Sequence, residues 1–397
     1  MPNALLTSQV ITRESLRVLH SKLNFLGNIN RQYDQSFAQA GAKIGDTLRI
    51  RMPNEYVVRN GITMSAQDTN ESSVSLQVAN VKGVDLNFTS QELALSLDDF
   101  SKRIIEPAMS TLAASIEADA LSMVLETPVV NNIGSAITLK RVLEARKALQ
   151  DNLVPAGKLI GLLNTQDNVD LVDGLKGLFH DSKEVASQYR DGIIGRTAGF
   201  DFYESTLLSS QATGTAAAVT TYTVNGAMAT GATQIPVTGG TTTFRKGDVV
   251  TIANVFDVHP ETKAVRSGVL KQFTVATDYA GGAGNLQIIG SIEGPTSAGR
   301  QNVSALPAAG AAISKIGGAN AVYNPSVVFH PDAFTFATAD LPMPNGVDFK
   351  AREVMDGISM SLVRGFNISD RSFPCRIDVL YGFKSLRPRH AVRVLSN

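Results

Sequence analysis

The stretch FSKRIIEPAMSTLAASIEADALSMVLE, residues 100–126, decides the fold class of this chain. Every fourth position in it is apolar, and such positions share one stripe of a helix: Phe100, Ile104, Ala108, Leu112, Ile116, Ala120 and Val124. Helical composition continues back to about residue 91. The pattern predicts a long spine helix over residues 91–126, with Pro107 in an early helical turn or at a kink.

The region after this helix mixes helical and strand patterns. A second helix is predicted at residues 139–151, and KLIGLLN (158–164) is predicted to be a short buried strand. Asp167, Asp170 and Asp173 then recur at three-residue spacing, which puts them on one helix face. No calcium-loop spacing and no histidine accompanies them, so we interpret them as a solvated acidic face rather than a metal site.

A change of composition marks a separate unit. TLLSSQATGTAAAVTT (206–221) is small and polar, and an all-β pattern follows it, which we place at residues 222–317. Its candidate strands are separated by glycine-rich turns, as in a sandwich or small barrel: TYTVNG, TQIPVTG, DVVTIANVF, LKQFTVATDY, NLQIIGSIE and AISKIG. The earlier pattern then returns in SVVFHPDAFTFATA (326–339), ISMSLVR (358–364), RIDVLYG (376–382) and AVRVL (391–395). This order predicts a β-domain inserted into one α+β domain.

Two further patterns precede the spine helix. Residues 4–26 have the pattern of an amphipathic helix, which either packs on its own chain or lies on a neighbour as an arm. TLRIRMPNEYVV (47–58) and SSVSLQVANVKG (72–83) alternate apolar and polar residues across a polar gap, which predicts a long two-stranded hairpin arm. Because an isolated hairpin is only marginally stable, its own domain or another chain must cover it.

Composition excludes several classes of protein. Lys plus Arg and Asp plus Glu both number 36, so no net field draws the chain to nucleic acid or to an anionic membrane. The single cysteine, Cys375, excludes an intrachain disulfide, and its place at the start of an apolar run predicts a structural thiol. The N-terminus lacks a secretion-signal pattern, and no stretch approaches the length of a membrane span.

The sequence carries no recognisable catalytic motif. Walker A, HExxH, CxxC and GxSxG patterns are absent. The five histidines are dispersed, and GGAGNLQIIG (281–290) runs from a turn into a strand, unlike a dinucleotide-binding loop. We therefore predict no catalytic, cofactor-binding or metal-binding residue, and no cofactor.

The order of these elements resembles a known fold family. Four segments carry the resemblance: SQYRDGIIGRTAGFDFYESTLL (187–208), FRKGDVVTIANV (244–255), VVFHPDAFTFATADLPMP (327–344) and RIDVLYGFKSLRPRHAVRVL (376–395). The chain is similar to the tailed-bacteriophage major capsid (coat) proteins of the Hong Kong ninety-seven fold, and most similar to the P-twenty-two-like coat proteins, which carry an inserted β-barrel domain. The implied fold class is α+β.

The resemblance also implies a division of the chain. Its parts are an N-terminal arm (1–40), an extended hairpin loop with peripheral strands (41–90), the spine helix (91–130), the first part of an axial domain (131–221), the inserted β-barrel (222–317) and the axial and peripheral completion (318–397).

The function that the resemblance implies is structural. Copies of the subunit would self-assemble, as hexamers and pentamers, into an icosahedral bacteriophage head that encloses the packaged genome. A scaffolding protein and a portal protein are the expected partners, a decoration protein is a further candidate, and contacts with DNA are expected to be local and non-specific. No membrane partner is expected.

The shell would assemble in the host cytoplasm as a precursor that expands on packaging and becomes the virion capsid. By the same analogy, the candidate intersubunit contacts are Arg49, Arg51, Glu55 and Arg59.

Two other classes stay open on the sequence alone. A tail or fibre protein with a binding β-domain would also have Gly- and Thr-rich strands, although the long spine helix argues against it. An intracellular enzyme would need convergent polar groups, for which the acidic residues near Asp170 are the only weak candidates.

Overall fold

The computed structural model describes residues 8–31, 47–56, 58–59, 61–64, 66, 71–88, 101–131, 135–175, 195–355, 358–368 and 372–396. The beginning of the predicted N-terminal helix, the spine-helix residues 91–100 and the first part of the segment 187–208 lie outside the described residues. The chain divides into two compact units. Unit 1 comprises Met1–Ile50, Ser73–Leu121 and Phe334–Leu386, and unit 2 comprises Arg51–Ser72, Ser122–Ala333 and Arg387–Asn397.

The described α-helices are α1 (Ser8–Lys22), α2 (Glu106–Leu121), α3 (Leu139–Asp151) and α4 (Thr165–Leu175). A π-helical turn at Ser101–Ile105 precedes α2, and a 3-10 turn at Ser122–Glu126 follows it. Pro107 is the second residue of α2 and follows the π-helical turn directly, so it lies where the helical hydrogen-bond pattern changes. The choice between an early turn and a kink stays a prediction, because residues 91–100 lie outside the described residues. The predicted apolar stripe is buried at Ala108, Leu112, Ile116, Ala120 and Val124.

One helical stretch of the described chain, Lys102–Glu126, is long and apolar enough to cross a membrane by length and composition alone. The expectation that no stretch reaches this length was therefore wrong. Within its most apolar window, 56% of the residues are buried inside the chain. Packing of the stripe against other protein elements accounts for the apolar composition, as it does in core helices.

The described strands, in chain order, are β1 (Thr47–Arg51), β2 (Ser73–Gln77), β3 (Asn80–Phe88), β4 (Val129–Asn131), β5 (Leu159–Leu163), β6 (Arg196–Thr197), β7 (Phe200–Glu204), β8 (Gln211–Ala212), β9 (Val219–Val224), β10 (Ala232–Thr238), β11 (Val249–Val258), β12 (Val265–Thr274), β13 (Gly284–Ile292), β14 (Ala312–Ile316), β15 (Val322–Phe329), β16 (Phe334–Ala339), β17 (Phe349–Met355), β18 (Ile358–Arg364), β19 (Phe373–Ser385) and β20 (Ala391–Ser396). Together with the helices they confirm the predicted α+β class.

Unit 1 is built on an antiparallel sheet. The strand order is β16-β19-β18-β17, and β3 also pairs with the long strand β19. Helix α1 packs against α2 and against β17. The chain that leaves α1 is held by Phe25, whose ring lies 5.5 Å from that of Phe334. The N-terminal helix of this chain therefore packs on its own unit over the residues that are described.

The predicted hairpin arm is shorter than expected. β1 and β2 pair with each other, but after Gln77 the chain leaves this ribbon, and β3 pairs along β19 from Phe88 opposite Phe373 to Asn80 opposite Tyr381. The 13-residue β19 offers a longer ladder of hydrogen bonds than the short β1 does. The ribbon is covered by its own unit, since its buried residues share a core with the sheet: Ile50, Leu76, Val78, Ala337 and Leu380.

A buried carboxylate fixes the chain after α1. Glu117 lies on α2, and its two side-chain oxygens accept the backbone N–H groups of Asn24 and Phe25, each at 2.9 Å. Its side chain is buried, and burial raises the pKa of Glu117 although the two hydrogen bonds oppose the rise. The carboxylate therefore satisfies two backbone donors, of which the N–H of Phe25 is buried and that of Asn24 is part-buried.

Glu117→Gln is expected to lower the free energy of unfolding by about 1–2 kcal/mol, because the amide offers one oxygen and turns its NH₂ toward the other N–H donor. Urea unfolding of the unassembled subunit measures the effect. Glu106→Gln is the matched control, because Glu106 is exposed in the first turn of the same helix. Equal unfolding midpoints for the two variants would contradict the assigned role of Glu117.

Unit 2 contains a mixed sheet in the order β4-β20-β15-β5-β7-β6, with β8 pairing with β15. β20 is parallel to β4 and β5 is parallel to β7, while the other described pairs are antiparallel. Helix α3, observed at the predicted bounds, packs on this sheet. Its buried Val142, Ala145 and Leu149 share a core with Leu163 and Phe200. The predicted strand at 158–164 is confirmed as β5.

The second sheet of unit 2 contains all six strands predicted between residues 222 and 317. It is antiparallel, with the order β12-β11-β14-β9-β10-β13. An isolated antiparallel bridge from Val275, directly after β12, to Ile288 of β13 connects the two edges of the sheet. The sheet encloses its own hydrophobic core, which includes Tyr222, Phe244 and Leu286.

Candidate functional site

The segment between β1 and β2, residues 52–72, is here called the extended loop. Its two ends are joined by a hydrogen bond from the backbone N–H of Met52 to the carbonyl of Ser72, at 2.8 Å. Between these ends, large apolar side chains face solvent: Tyr56 is 57% exposed, Val58 87%, Ile62 99% and Met64 81%. A concentration of exposed apolar side chains on one loop is typical of a surface that another protein covers.

Two of the predicted charged contacts lie at the base of this loop. Arg49 is exposed and forms no ion pair with any residue that the structure describes. Arg51 lies 3.1 Å from Glu71, and both side chains are well exposed. An ion pair so open to solvent contributes about 0–1 kcal/mol, so Arg51 is held only weakly by its own chain.

Arg59 makes local contacts within the loop. Its guanidinium donates hydrogen bonds to the carbonyl oxygens of Gly61 and Thr63, the latter at 2.8 Å. These contacts close a tight turn that presents Ile62 to solvent. Arg59 therefore shapes the exposed part of the loop.

Glu55 has partners from distant parts of its own chain. Its carboxylate accepts a hydrogen bond from Arg389 at 2.9 Å and lies 3.6 Å from the ammonium group of Lys263. Arg51 and Glu55 thus have different partners, and these predicted charges do not form one cluster. Nothing in the local sequence signalled the contact, since Arg389 lies 334 residues from Glu55.

The acidic residues of α4 differ from the prediction of a solvated face. Asp167 is fully buried, whereas Asp170 is half-buried and Asp173 is exposed. The Asp167 side chain faces strands β15 and β20 instead of water, and the hydroxyl groups of Ser326 and Ser396 each donate to its carboxylate at 2.5 Å. Burial raises the pKa of Asp167, although these hydrogen bonds oppose the rise. The interpretation as a solvated face was wrong at this residue.

Asn164 and Asp167 also close the start of α4. The Asn164 side-chain oxygen accepts the backbone N–H of Asp167 at 2.8 Å, and its amide nitrogen donates to the Asp167 carboxylate at 2.9 Å. This reciprocal arrangement satisfies a backbone donor at the helix start. The role of Asp167 is structural. Among the described residues, no group of three or more His, Cys, Asp or Glu side chains is arranged to hold a metal ion.

The remaining reactive side chains have structural environments. Cys375 is buried, and burial raises the pKa of its thiol to about 12, so the predicted structural thiol is confirmed. His259 accepts the backbone N–H groups of Glu261 and Thr262, and His330 accepts that of Asp332. Both histidines therefore close turns.

A buried arginine was missed by the sequence reasoning. Arg393 lies in the middle of β20 and is fully buried. Its guanidinium donates to the carbonyls of Thr127 and Gly247, each at 2.9 Å, and to the side-chain oxygen of Gln211. Burial lowers the pKa of Arg393 to about 9, and the charge of Asp248 opposes this. Arg393 thus joins the last strand to the segment before β4 and to the turn before β11.

The chain is similar to a known protein family over nearly its whole length. A family model for the P22 coat protein, gene protein 5, matches residues 3–394. A solved structure from Mycobacterium phage Che8 is 14% identical with a TM-score of 0.46, covering 92% of this chain and 88% of that one. The capsid of Ralstonia phage GP4 is 7% identical with a TM-score of 0.44, covering 94% and 90%. No curated protein sequence matches significantly.

Proposed function

This chain belongs to the P22 coat protein family, and we propose that its copies hold one another in the shell through the extended loop. As a coat protein it is a structural subunit of an icosahedral bacteriophage head and not an enzyme. Its copies associate with one another to form the shell of the virion. The proposal concerns the surface by which they do so.

The observation that carries the proposal is the exposure of apolar side chains on the extended loop. Val58, Ile62 and Met64 are each more than 80% exposed, whereas the side chains of β1 and β2 beside them contribute to a buried core. Burying one such side chain against a neighbour is worth about 1.5–3 kcal/mol. Many modest contacts of this size stabilise a closed shell through multivalency, while a single contact can still dissociate during growth.

The charged residues at the base of the loop also support a contact with a neighbouring copy. Arg49 is exposed with no ion pair to a described residue, and Arg51 has only a solvent-exposed one. We propose both as contacts with a neighbouring copy, which would give the apolar contact a preferred register. Arg59 contributes by holding the turn that presents Ile62.

Ile62→Asp is expected to abolish uniform shells while leaving the subunit folded, because the Ile62 side chain is 99% exposed in the subunit but the aspartate would place a charge in the proposed interface. The test expresses the variant together with the neighbouring phage genes and examines the particles by negative-stain electron microscopy, with circular dichroism of the subunit as the folding check. Val169→Asp is the control, because Val169 is a 61% exposed apolar residue on helix α4. Normal shells from Ile62→Asp would rule out the loop as a necessary contact.

Further partners follow from the family. We propose that a scaffolding protein and a portal protein direct assembly of hexamers and pentamers, and that a decoration protein is a candidate for the outer surface. Contacts with packaged DNA would be local, since the formal net charge of the chain is zero. Assembly of the precursor shell in the host cytoplasm is supported by the single, buried and unpaired Cys375, which fits a reducing compartment.

A further inference from the structure

The root of the extended loop is held by an ion cluster within its own chain. We propose that Glu55 is a positioning residue: by binding Lys263 and Arg389 it fixes the direction in which the extended loop leaves the subunit. This inference rests on the proposed function, in which the loop contacts a neighbouring copy. It assigns Glu55 a different role from Arg49 and Arg51, although all were predicted as intersubunit contacts.

The two oxygens of Glu55 have separate partners. One accepts a hydrogen bond from Arg389 at 2.9 Å, and the other lies 3.6 Å from the ammonium group of Lys263. Arg389 belongs to the 3-10 turn Pro388–His390, which precedes β20. Lys263 lies in the connection between β11 and β12, so the carboxylate joins the loop to the inserted β-sheet and to the C-terminal strand.

The environment of Lys263 makes this contact more than a surface ion pair. Its side chain is only 11% exposed, and its ammonium group also donates to the carbonyl of Pro260 and, at 3.4 Å, to that of Gln301. Burial lowers the pKa of Lys263, and the charge of Glu55 opposes this. A cation in so little water needs a counter-charge, and Glu55 supplies it.

The backbone of the loop is also packed at this point. A Cβ atom on Gly299 would clash with the carbonyl oxygen of Glu55 and lie 3.0 Å from the backbone nitrogen of Tyr56. The 3-10 turn Pro295–Arg300 therefore approaches the loop as closely as a glycine allows. Close packing therefore acts on the backbone of Glu55, the same residue whose carboxylate the two cations hold.

The consequence is a pre-oriented loop. Tyr56 follows Glu55 directly, and the exposed Val58 and Ile62 come next along the chain. A loop that is fixed at its root loses less conformational freedom when it binds a neighbour than one that is free to pivot. Breaking the cluster should therefore weaken assembly without removing any atom from the contact itself.

The test compares charge reversals in the unassembled subunit and in assembly. Glu55→Arg and Arg389→Glu should each increase amide hydrogen exchange of residues 52–72 by about fivefold, in line with the strength of a partly exposed ion pair, and should each reduce shell yield. The double variant, Glu55→Arg with Arg389→Glu, restores the ion pair between positions 55 and 389 but leaves Lys263 beside an arginine, so it should recover both properties in part. Glu261→Arg is the matched control, because it makes the same charge change at an exposed site close to Lys263 in sequence.

The outcomes separate this inference from the proposed function. Unchanged hydrogen exchange in Glu55→Arg, or a double variant that recovers neither property, would overturn the positioning role and leave Glu55 as a contact with a neighbour. Faster exchange in Glu55→Arg together with normal shells from Ile62→Asp would keep the intrachain anchor but refute the loop as the assembly contact.

Discussion

Arg393→Ala is expected to lower the free energy of unfolding of the subunit by about 3–5 kcal/mol, the loss typical of a broken buried charge network. The Arg393 side chain is fully buried, and alanine removes the donors that satisfy the carbonyls of Thr127 and Gly247 and the side chain of Gln211. Water does not reach these acceptors in the folded subunit, so the lost donors are not replaced, and the Thr127 carbonyl keeps only a long hydrogen bond from the Thr274 hydroxyl, at 3.4 Å. Asp248 also loses the positive charge nearby.

Urea unfolding of the unassembled subunit, followed by circular dichroism, measures this loss. Arg196→Ala is the matched control, since the Arg196 side chain is 74% exposed and lies 3.7 Å from Asp201, and its removal is expected to cost less than about 1 kcal/mol. Arg393→Lys keeps the charge on a single donor nitrogen and should fall between the two. It remains measurable if Arg393→Ala does not fold. An unfolding midpoint of Arg393→Lys equal to that of the wild type would show that the hydrogen-bond network contributes little.

The elements that the sequence predicted well are those determined by neighbouring residues. Helix α3 and strand β18 appear at the predicted bounds, and the apolar stripe of α2 is buried where its four-residue spacing placed it. These patterns depend on local periodicity, which is visible in a single chain. Strand β17 was missed because Lys350, Arg352 and Glu353 obscure its alternation of apolar and polar residues. An edge strand such as β17 tolerates charged residues of this kind.

Pairings between distant residues were not predictable in the same way. The alternating pattern of 72–83 predicted strands, but only the fold shows that β3 pairs with β19 and leaves β1. The spacing of Asp167 and Asp170 indicated a helix face, yet the environment of Asp167 is set by Ser326 and Ser396, which are 159 and 229 residues away. The burial of Arg393 was likewise not predictable from the strand pattern AVRVL, because its partners lie far away in the sequence.

The candidate site was predicted in part. The sequence singled out the charged residues of the hairpin arm by analogy, but the exposed apolar residues of the extended loop are its more distinctive feature. A signal for them existed: Ile62 and Met64 interrupt the polar gap NGITMSAQDTNE, where neither a turn nor a core requires them. The partners of Glu55 had no such signal, because Lys263 and Arg389 are brought to it only by folding.

Asp167→Ala is expected to lower the free energy of unfolding by about 3 kcal/mol, because it leaves the buried donors of Asn164, Ser326 and Ser396 without their shared acceptor. Asp170→Ala is the matched control on the same helix, since Asp170 is half-buried and accepts a hydrogen bond from the exposed Gln166. Urea unfolding of the unassembled subunit separates the two, and equal losses would contradict the role given to Asp167.

Asp167→Asn should be far milder at neutral pH and should change the pH dependence. The asparagine oxygen can accept from Ser326, and its amide can donate to Ser396, whose hydroxyl hydrogen would then turn from residue 167 to the carbonyl of Asn324, 3.0 Å away. The pKa of Asp167 is raised by burial, so the folded subunit holds this proton more tightly than the unfolded chain does. The contribution of Asp167 to the free energy of unfolding is therefore largest at a pH below its pKa in the unfolded chain, about 3.9, and it falls as the pH rises through its pKa in the folded subunit.

The stability of the wild type relative to Asp167→Asn should consequently decrease as the pH is raised from acid to neutral, because asparagine does not titrate. Unfolding midpoints of both proteins across that range test the sign directly. A relative stability that increases with pH would mean that the hydrogen bonds from Ser326 and Ser396 outweigh the burial of the charge, and that Asp167 is stabilised as a carboxylate. In that case hydrogen bonds from the two serines, and not the burial of the Asp167 carboxylate, would dominate the contact between the last strand and α4.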